Sequence, residues 1–285
     1  MTRTTRTTCT PRSTGTNGTG GTARTAGAGP SRGGLGRAVA LGGAAVVLVA
    51  GLSACGAAAA EDTDPEHRSF DLPGSTLTVD SRDSALEVVA AEGNPSGRIQ
   101  VTRWFQGTVA LGSDPKVTWS MEGDRLTLRT QCSGIVAVCS AKHRVEVPRG
   151  VAVKVVEGDG SVRARGFRDA LSIRTTDGSV HVTDTTGPLD LRTGDGSLRA
   201  EADSRTVRAR TGDGSLHLTL GAVPDLVESR SGDGSTTVEL PRAAYRVTAT
   251  TGDGAEHVSV PRDDTSPHGV DVRTGDGSLT VRTTN

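Results

Sequence analysis

Seven Asp-Gly pairs recur in the second half of the chain and are the potentially reactive residues with the most regular spacing. Their aspartates are Asp159, Asp177, Asp195, Asp213, Asp233, Asp253 and Asp276. Carboxylate oxygens bind Ca²⁺, but a calcium site needs about six to eight oxygens. One Asp per 18 to 23 residues supplies too few. We therefore expect these aspartates to cap turns, with a calcium-binding β-roll as the alternative.

Two of the four cysteines are placed to form a disulfide. Cys132 and Cys139 lie in the part of the chain that we expect to be exported, where an oxidising environment favours pairing. Closing so short a loop would contribute roughly 2–3 kcal/mol in the chain-entropy model. A zinc site formed by the two cysteines and His143 is the alternative, but it would lack a further ligand close in sequence. We predict the Cys132–Cys139 disulfide.

No other residues form a pattern typical of catalysis or metal binding. His181, His217 and His257 fall four residues after an Asp, but on alternate repeats, about 10 Å apart if the repeats stack. The sequence has no G-x-S-x-G, H-E-x-x-H or P-loop motif, and its acidic residues repeat evenly. We predict a non-catalytic protein without a cofactor, the alternative being a carbohydrate-active β-helix enzyme.

Each Asp-Gly pair lies between two short stretches in which apolar and polar residues alternate. Apolar residues predominate six and four positions before each Asp, and three and five positions after it. Period-two alternation on both sides of a turn predicts strand, turn and strand. Repetition of such a unit at a nearly fixed period is typical of stacked repeats.

Two all-β architectures place the same residues inward. In a parallel β-solenoid, each repeat of 18–23 residues is one coil and equivalent strands of successive coils pair in parallel. In an antiparallel β-meander, each Asp-Gly is a hairpin turn. We favour the solenoid, because turns and columns repeat together and because small core residues fit a narrow coil.

Two polar columns accompany the turns. A Thr column lies two residues before the Asp and shares the parity of the core, so we expect it to point inward. It comprises Thr175, Thr193, Thr211, Thr251 and Thr274. An Arg column lies three residues before the Asp and would offset repulsion along the stacked carboxylates. It comprises Arg174, Arg192, Arg210, Arg230 and Arg273.

The repeat is degenerate upstream, and we divide the chain accordingly. Residues 151–285 are predicted to form the regular solenoid. Residues 69–150 are predicted to form irregular coils or a small sheet, with the disulfide closing one loop. There, the offsets of the repeat are kept around Asp83, and strand-like stretches span 98–105, 115–121, 125–130 and 143–148.

The first 54 residues differ in charge from the remainder. They contain six Arg and no acidic residue, whereas all 33 acidic residues follow. Residues 38–51 form an uncharged apolar run of 14 residues, too short for the roughly 20 that a spanning helix needs. We predict a signal segment over 1–54 that is removed, and a tether over 55–68. A single-pass anchor is the alternative.

The apolar run ends in Leu52-Ser53-Ala54-Cys55, which resembles the lipobox of bacterial lipoproteins at all four positions. The resemblance implies that Cys55 is acylated and becomes the mature N-terminus, held at the outer face of the cell membrane. Two or more acyl chains give stable anchoring. Ordinary cleavage near 57–60 is the alternative.

The GDGS turns flanked by alternating strands resemble a bacterial family of exported β-repeat domains described as putative adhesins, whose function is unknown. The resemblance covers about 70–285 and implies no catalytic residues. With the lipobox, it suggests a lipid-anchored surface module for binding, adhesion or envelope structure, whose ligand would be a protein or a polysaccharide. Nucleic acid is excluded as a partner, because the net charge is −1 and only 2% of residues are aromatic.

Overall fold

The computed structural model describes residues 59, 62–93 and 97–284, which form a β-structure. Within these ranges no helix is long and apolar enough to cross a membrane. The predicted signal segment and Cys55 lie outside the described residues.

Nineteen strands are present in the described part of the chain. The first five are β1 (Glu66–Asp71), β2 (Thr76–Arg82), β3 (Ala85–Ala91), β4 (Arg98–Glu122) and β5 (Arg125–Pro148). The other fourteen are β6 (Ala152–Glu157), β7 (Val162–Arg165), β8 (Leu171–Thr175), β9 (Val180–Thr185), β10 (Leu189–Thr193), β11 (Leu198–Ala202), β12 (Thr206–Thr211), β13 (Leu216–Leu220), β14 (Leu226–Ser231), β15 (Thr236–Leu240), β16 (Arg246–Thr251), β17 (Glu256–Val258), β18 (Gly269–Thr274) and β19 (Leu279–Thr283).

The repeats stack as a parallel β-solenoid, as predicted. Each Asp-Gly turn joins the two strands of one coil, and the first strand of a coil pairs in parallel with first strands of other coils. Leu189 of β10, for example, aligns with Leu171 on one side and Val207 on the other. The second strands pair in the same way, with Leu198 of β11 between Val180 and Leu216. The antiparallel meander is therefore excluded for the repeats.

The four predicted inward columns form the core of the solenoid. Each is buried through the stack, as shown by Val153, Ile173, Leu198 and Val238. The exceptions belong to one coil, β16–β17, where Glu256 is exposed. That coil lies at the end of the stack, so one of its sides lacks a neighbour.

The order of the last coils differs from their order in sequence. We expected successive coils to pair, but β14 and β16 both pair with β18, and β15 and β17 both pair with β19. The last coil in sequence is thus inserted between the two before it. The longer spacing from Asp253 to Asp276 supplies the crossover segment. This segment is bonded to the backbone of Tyr245: Tyr245 N donates to Pro261 O at 3.0 Å, and Asp263 N donates to Tyr245 O at 2.9 Å.

The upstream part of the described chain continues the stack and adds antiparallel pairing. Strands β2 and β3 form one coil, which pairs with β6 and β7, and its turn contains Asp83 at a φ of 59°. The beginning of β5 pairs in parallel with β2, and the end of β5 pairs in parallel with β3. The four predicted strand-like stretches lie within β4 and β5, which pair antiparallel with each other. Strand β5 therefore extends the parallel stack, and β4 adds antiparallel pairing with β5 and with β1.

Candidate interaction surfaces

The repeated turns form one edge of the solenoid, along which the seven Asp residues are arranged. Backbone hydrogen bonds connect the turns of neighbouring coils directly. Gly212 N donates to Gly194 O at 2.7 Å, and Gly232 N donates to Gly212 O at 2.6 Å. The edge is therefore a continuous ladder of stacked turns, with its carboxylates at the strand spacing of about 4.8 Å.

Hydroxyl groups, most of them from the Thr column, make the side-chain hydrogen bonds of this edge, and the Asp carboxylates make none that the structure describes. Thr211 Oγ1 donates to Gly196 O at 3.0 Å, and Thr274 Oγ1 donates to Gly234 O at 2.8 Å, in each case in the adjacent coil. The column points inward as predicted: four of its five residues are at most 9% exposed, and Thr251, in the β16–β17 coil, is half-buried. Among the described residues, the expected capping bonds from backbone N–H groups to the Asp side chains are absent.

We expect Thr211→Val to lower the free energy of unfolding by about 1–2 kcal/mol, because it leaves the carbonyl of Gly196 without its side-chain donor. Asp213→Ala, in the same turn, is the matched control and should change stability by no more than about 0.5 kcal/mol. Urea unfolding followed by circular dichroism measures both. A larger loss for Asp213→Ala than for Thr211→Val would restore the carboxylate as the capping group.

Two of the five arginines of the Arg column, Arg192 and Arg273, pair with acidic residues of their own strands instead of with the turns. Arg192 Nε lies 3.0 Å from Asp190, and Arg273 Nη2 lies 2.9 Å from Asp271. In the residues that the structure covers, none of the seven turn carboxylates has a cation within ion-pair distance. Such exposed pairs contribute little to stability, at most about 1 kcal/mol each. The turn edge therefore presents a row of unneutralised carboxylates to solvent.

The histidines and acids of the outward columns are dispersed. His181 is aligned with Arg163 and Arg199, and His217 with Arg199 and Thr237, so no two of the column's histidines are neighbours. Across the described ranges, no three or more His, Cys, Asp or Glu residues lie close enough to hold a metal ion.

A buried polar cluster of Ser81, Ser84, His143 and Glu157 was not anticipated from the sequence. Ser81 Oγ and Ser84 Oγ are 2.8 Å apart, and His143 Nδ1 lies 3.1 Å from Ser84 Oγ. Each of the four residues is at most 2% exposed. Glu157 occupies the position of the Thr column in its coil, two residues before Asp159. This departure from Thr is the signal by which it could have been found.

Burial shifts both titratable groups of the cluster toward their neutral forms. It raises the pKa of the Glu157 carboxyl to about 7 and lowers the pKa of His143 to about 4, with the Arg103 guanidinium lowering the latter further. A serine, a histidine and an acid in proximity are typical of nucleophilic catalysis. Here Ser84, the only hydroxyl of the cluster that lies beside the imidazole, is 1% exposed, so it is closed to a substrate.

Cys132 and Cys139 form a disulfide, with their Cα atoms 6.2 Å apart. Both belong to β5, which leaves the stack between the two cysteines and returns to it. β4 follows the same detour, with Gly112 opposite Gly134 and Gly107 opposite Cys139. The disulfide therefore closes the neck of a two-stranded loop that stands where the other coils have a GDGS turn.

A depression of about 360 Å³ crosses the outward face of the first strands of the coils. Its lining includes Thr78, Lys154, Ser172, Asp190 and Arg208, which belong to five neighbouring strands. It contains no Ser–His pair and no paired carboxylates. It is a feature of a flat, regular surface with mixed charge.

Comparison with known proteins gives one family and two solved structures. Residues 141–282 match the sequence profile of the family described as Toastrack DUF4097. The curated proteins include no match to the chain. A putative cell adhesion protein from Clostridium sporogenes is 12% identical, with a TM-score of 0.36 over 78% of this chain and 100% of its own. A putative adhesin from Bacteroides fragilis is 10% identical, with a TM-score of 0.48 over 78% of this chain and 98% of its own. Likenesses this weak carry no conclusion about function.

Proposed function

We propose that this chain is an exported lipoprotein, anchored at the outer face of the cell membrane through Cys55, whose solenoid binds an envelope or extracellular ligand without catalysis. The observation that carries the proposal is the complete lipobox at Leu52-Ser53-Ala54-Cys55 directly after an apolar run, followed within a short tether by the solenoid. An anchor placed so close to a rigid repeat array would hold the array against the membrane surface.

The burial of the one Ser–His pair found among the described residues supports a role without catalysis. Ser84 and His143 are at most 1% exposed, so the groups most suited to nucleophilic attack are closed to substrate. The outward residues repeat from coil to coil, and such solenoid faces suit extended partners rather than one small substrate. We therefore propose a protein or polysaccharide as the ligand.

Cys55→Ser is expected to abolish labelling of the protein by a metabolic acyl probe and to release it from the membrane fraction. The reason is that the thiol of Cys55 is the acceptor of the lipid, and stable anchoring requires two acyl chains. Cys9→Ser is the matched control, because it removes a cysteine upstream of the predicted cleavage point and should leave labelling unchanged. Continued labelling of the Cys55→Ser protein would contradict the proposal.

The ligand class is tested by binding envelope material to the immobilised Cys55→Ser protein. Bound material is then treated with protease or with periodate, which oxidises sugar diols. Loss of binding after one treatment identifies a protein or a polysaccharide ligand. Turnover of polysaccharide by the bound protein, measured as new reducing ends, would contradict the non-catalytic role.

A further inference from the structure

The large apolar side chains that are exposed in the described part of the chain lie together on the loop closed by the disulfide. Leu111 is 80% exposed, Ile135 79%, Val138 69% and Val136 60%. Ala110 is aligned with Val136 across the two strands, so these side chains share one protrusion. We call residues 107–113 and 132–139 together the clamped loop.

The clamped loop differs in composition from the rest of the solenoid surface. Neither 107–113 nor 132–139 contains a charged residue, whereas the outward columns of the repeats are rich in Arg, Asp and Glu. The disulfide at the neck prevents the loop from unravelling, and the apolar side chains have no core to enter. Exposed apolar patches of this kind mark contact with a membrane or a partner.

The tether from the predicted anchor reaches the structure beside this loop. Ala59 is buried, and its N–H donates to Ser140 Oγ at 3.2 Å, next to the disulfide. Three residues on, Asp62 Oδ2 accepts a hydrogen bond from Phe105 N at 3.0 Å, on the neighbouring strand. The chain upstream of residue 59 thus starts from the neck of the clamped loop.

Chain length then limits how far the loop can lie from an anchored Cys55. Ala59 is four positions after Cys55, so the two residues lie at most about 14 Å apart when the chain is fully extended. Val136 lies four residues from Ser140 along β5, so the tip of the loop can extend a similar distance from the same neck. A lipid anchor at Cys55 therefore brings the loop tip within reach of the bilayer surface.

We propose that the clamped loop inserts its apolar side chains into the lipid surface that holds Cys55, which gives the protein a second contact with the membrane. The proposal rests on the lipid anchor of the proposed function for its location. Because the loop carries no charge, its contact with the membrane would depend on the hydrocarbon of the acyl chains and not on anionic headgroups. The β1–β5 end of the solenoid then faces the membrane, and the β16–β17 coil points away from it.

The test places an indole on the loop. The acylated protein with Ile135→Trp is purified from membranes and reconstituted into phosphatidylcholine vesicles. The acyl chains of the vesicles either carry bromine, which quenches indole fluorescence on contact, or do not. The fluorescence of Trp104 and Trp119, measured on the parent protein, is subtracted to give that of the new indole. We expect bromine to reduce this remaining fluorescence roughly twofold, since an interfacial apolar residue reaches the acyl boundary. Leu111→Trp should behave alike, and it serves if the first variant does not fold.

His257→Trp is the matched control, because His257 is exposed on the coil at the far end of the stack and its indole should not be quenched. Equal quenching in the loop variants and in His257→Trp would overturn the proposal. A second result would also overturn it. If, without vesicles, the loop indole were shielded from the aqueous quencher acrylamide and became accessible on dilution of the protein, the loop would be covered by a second copy of the chain. Acyl labelling at Cys55, measured on the same samples, reports on the anchor separately from the loop.

Discussion

Gly196→Ala is expected to lower the free energy of unfolding by about 3 kcal/mol or more, at or above the upper end of the cost of overpacking a core. A Cβ atom at this position would lie 2.2 Å from the carbonyl oxygen of Gly178 and 2.6 Å from its carbon. Both atoms belong to the backbone of the neighbouring coil. They cannot move away without breaking the parallel ladder between the two coils.

Gly93→Ala is the matched control, because a Cβ atom at Gly93 would meet nothing within 4 Å and the φ of this residue is not in the left-handed region. Its stability should change by no more than about 0.5 kcal/mol. Chemical unfolding of the two variants, followed by circular dichroism, measures the difference. If Gly196→Ala were as stable as Gly93→Ala, stacking contact would not be the reason for the glycine.

The same contact explains why glycine follows Asp in each of the seven repeated turns. A positive φ is not the reason, since the described glycines with positive φ are Gly97, Gly123, Gly150 and Gly166, all outside the GDGS turns. Turn geometry within one repeat is visible in a sequence. The close approach of two coils is visible only once they are stacked.

The parallel solenoid and its inward columns could be predicted because alternation and repeat period are local properties of the chain. The order of the coils could not, because equivalent columns have the same chemistry and any coil can pair with any other. Glu256 nevertheless marks the terminal coil, since it places a charged residue in a column that is otherwise apolar or Thr. Repeat proteins commonly expose such polar positions on their end repeats.

The buried cluster was missed for a related reason. Ser81 and Ser84 lie on one coil, His143 on β5 and Glu157 on the next coil of the solenoid, so only the stack brings them together. Glu157 alone carried a local signal, as a carboxylate in the inward Thr column. Its consequence is a dependence of stability on pH that the surface residues would not produce.

The two titratable groups of the cluster should have opposite effects on stability. Glu157 has a pKa raised from 4.5 to about 7. Its stabilising contribution to the free energy of unfolding is therefore fully present below pH 4.5 and is lost as the pH rises to 7. His143 has a pKa lowered from 6.5 to about 4, so its contribution is present above pH 6.5 and is lost as the pH falls to 4. Between these limits the folded and unfolded states bind the same number of protons at this pair, and the two effects cancel.

Single substitutions should reveal each effect. Glu157→Gln leaves His143 unopposed, so stability should rise by about 3 kcal/mol from pH 4 to 6.5, and at pH 8 this variant should exceed the parent protein by a similar amount. His143→Gln leaves Glu157 unopposed, so stability should fall by about 3 kcal/mol from pH 4.5 to 7. Urea unfolding at closely spaced pH values gives the slope of the free energy of unfolding against pH. This slope does not depend on the absolute cost of each substitution. Slopes of the same sign in the two variants would show that the carboxyl and the imidazole are not both held neutral by burial.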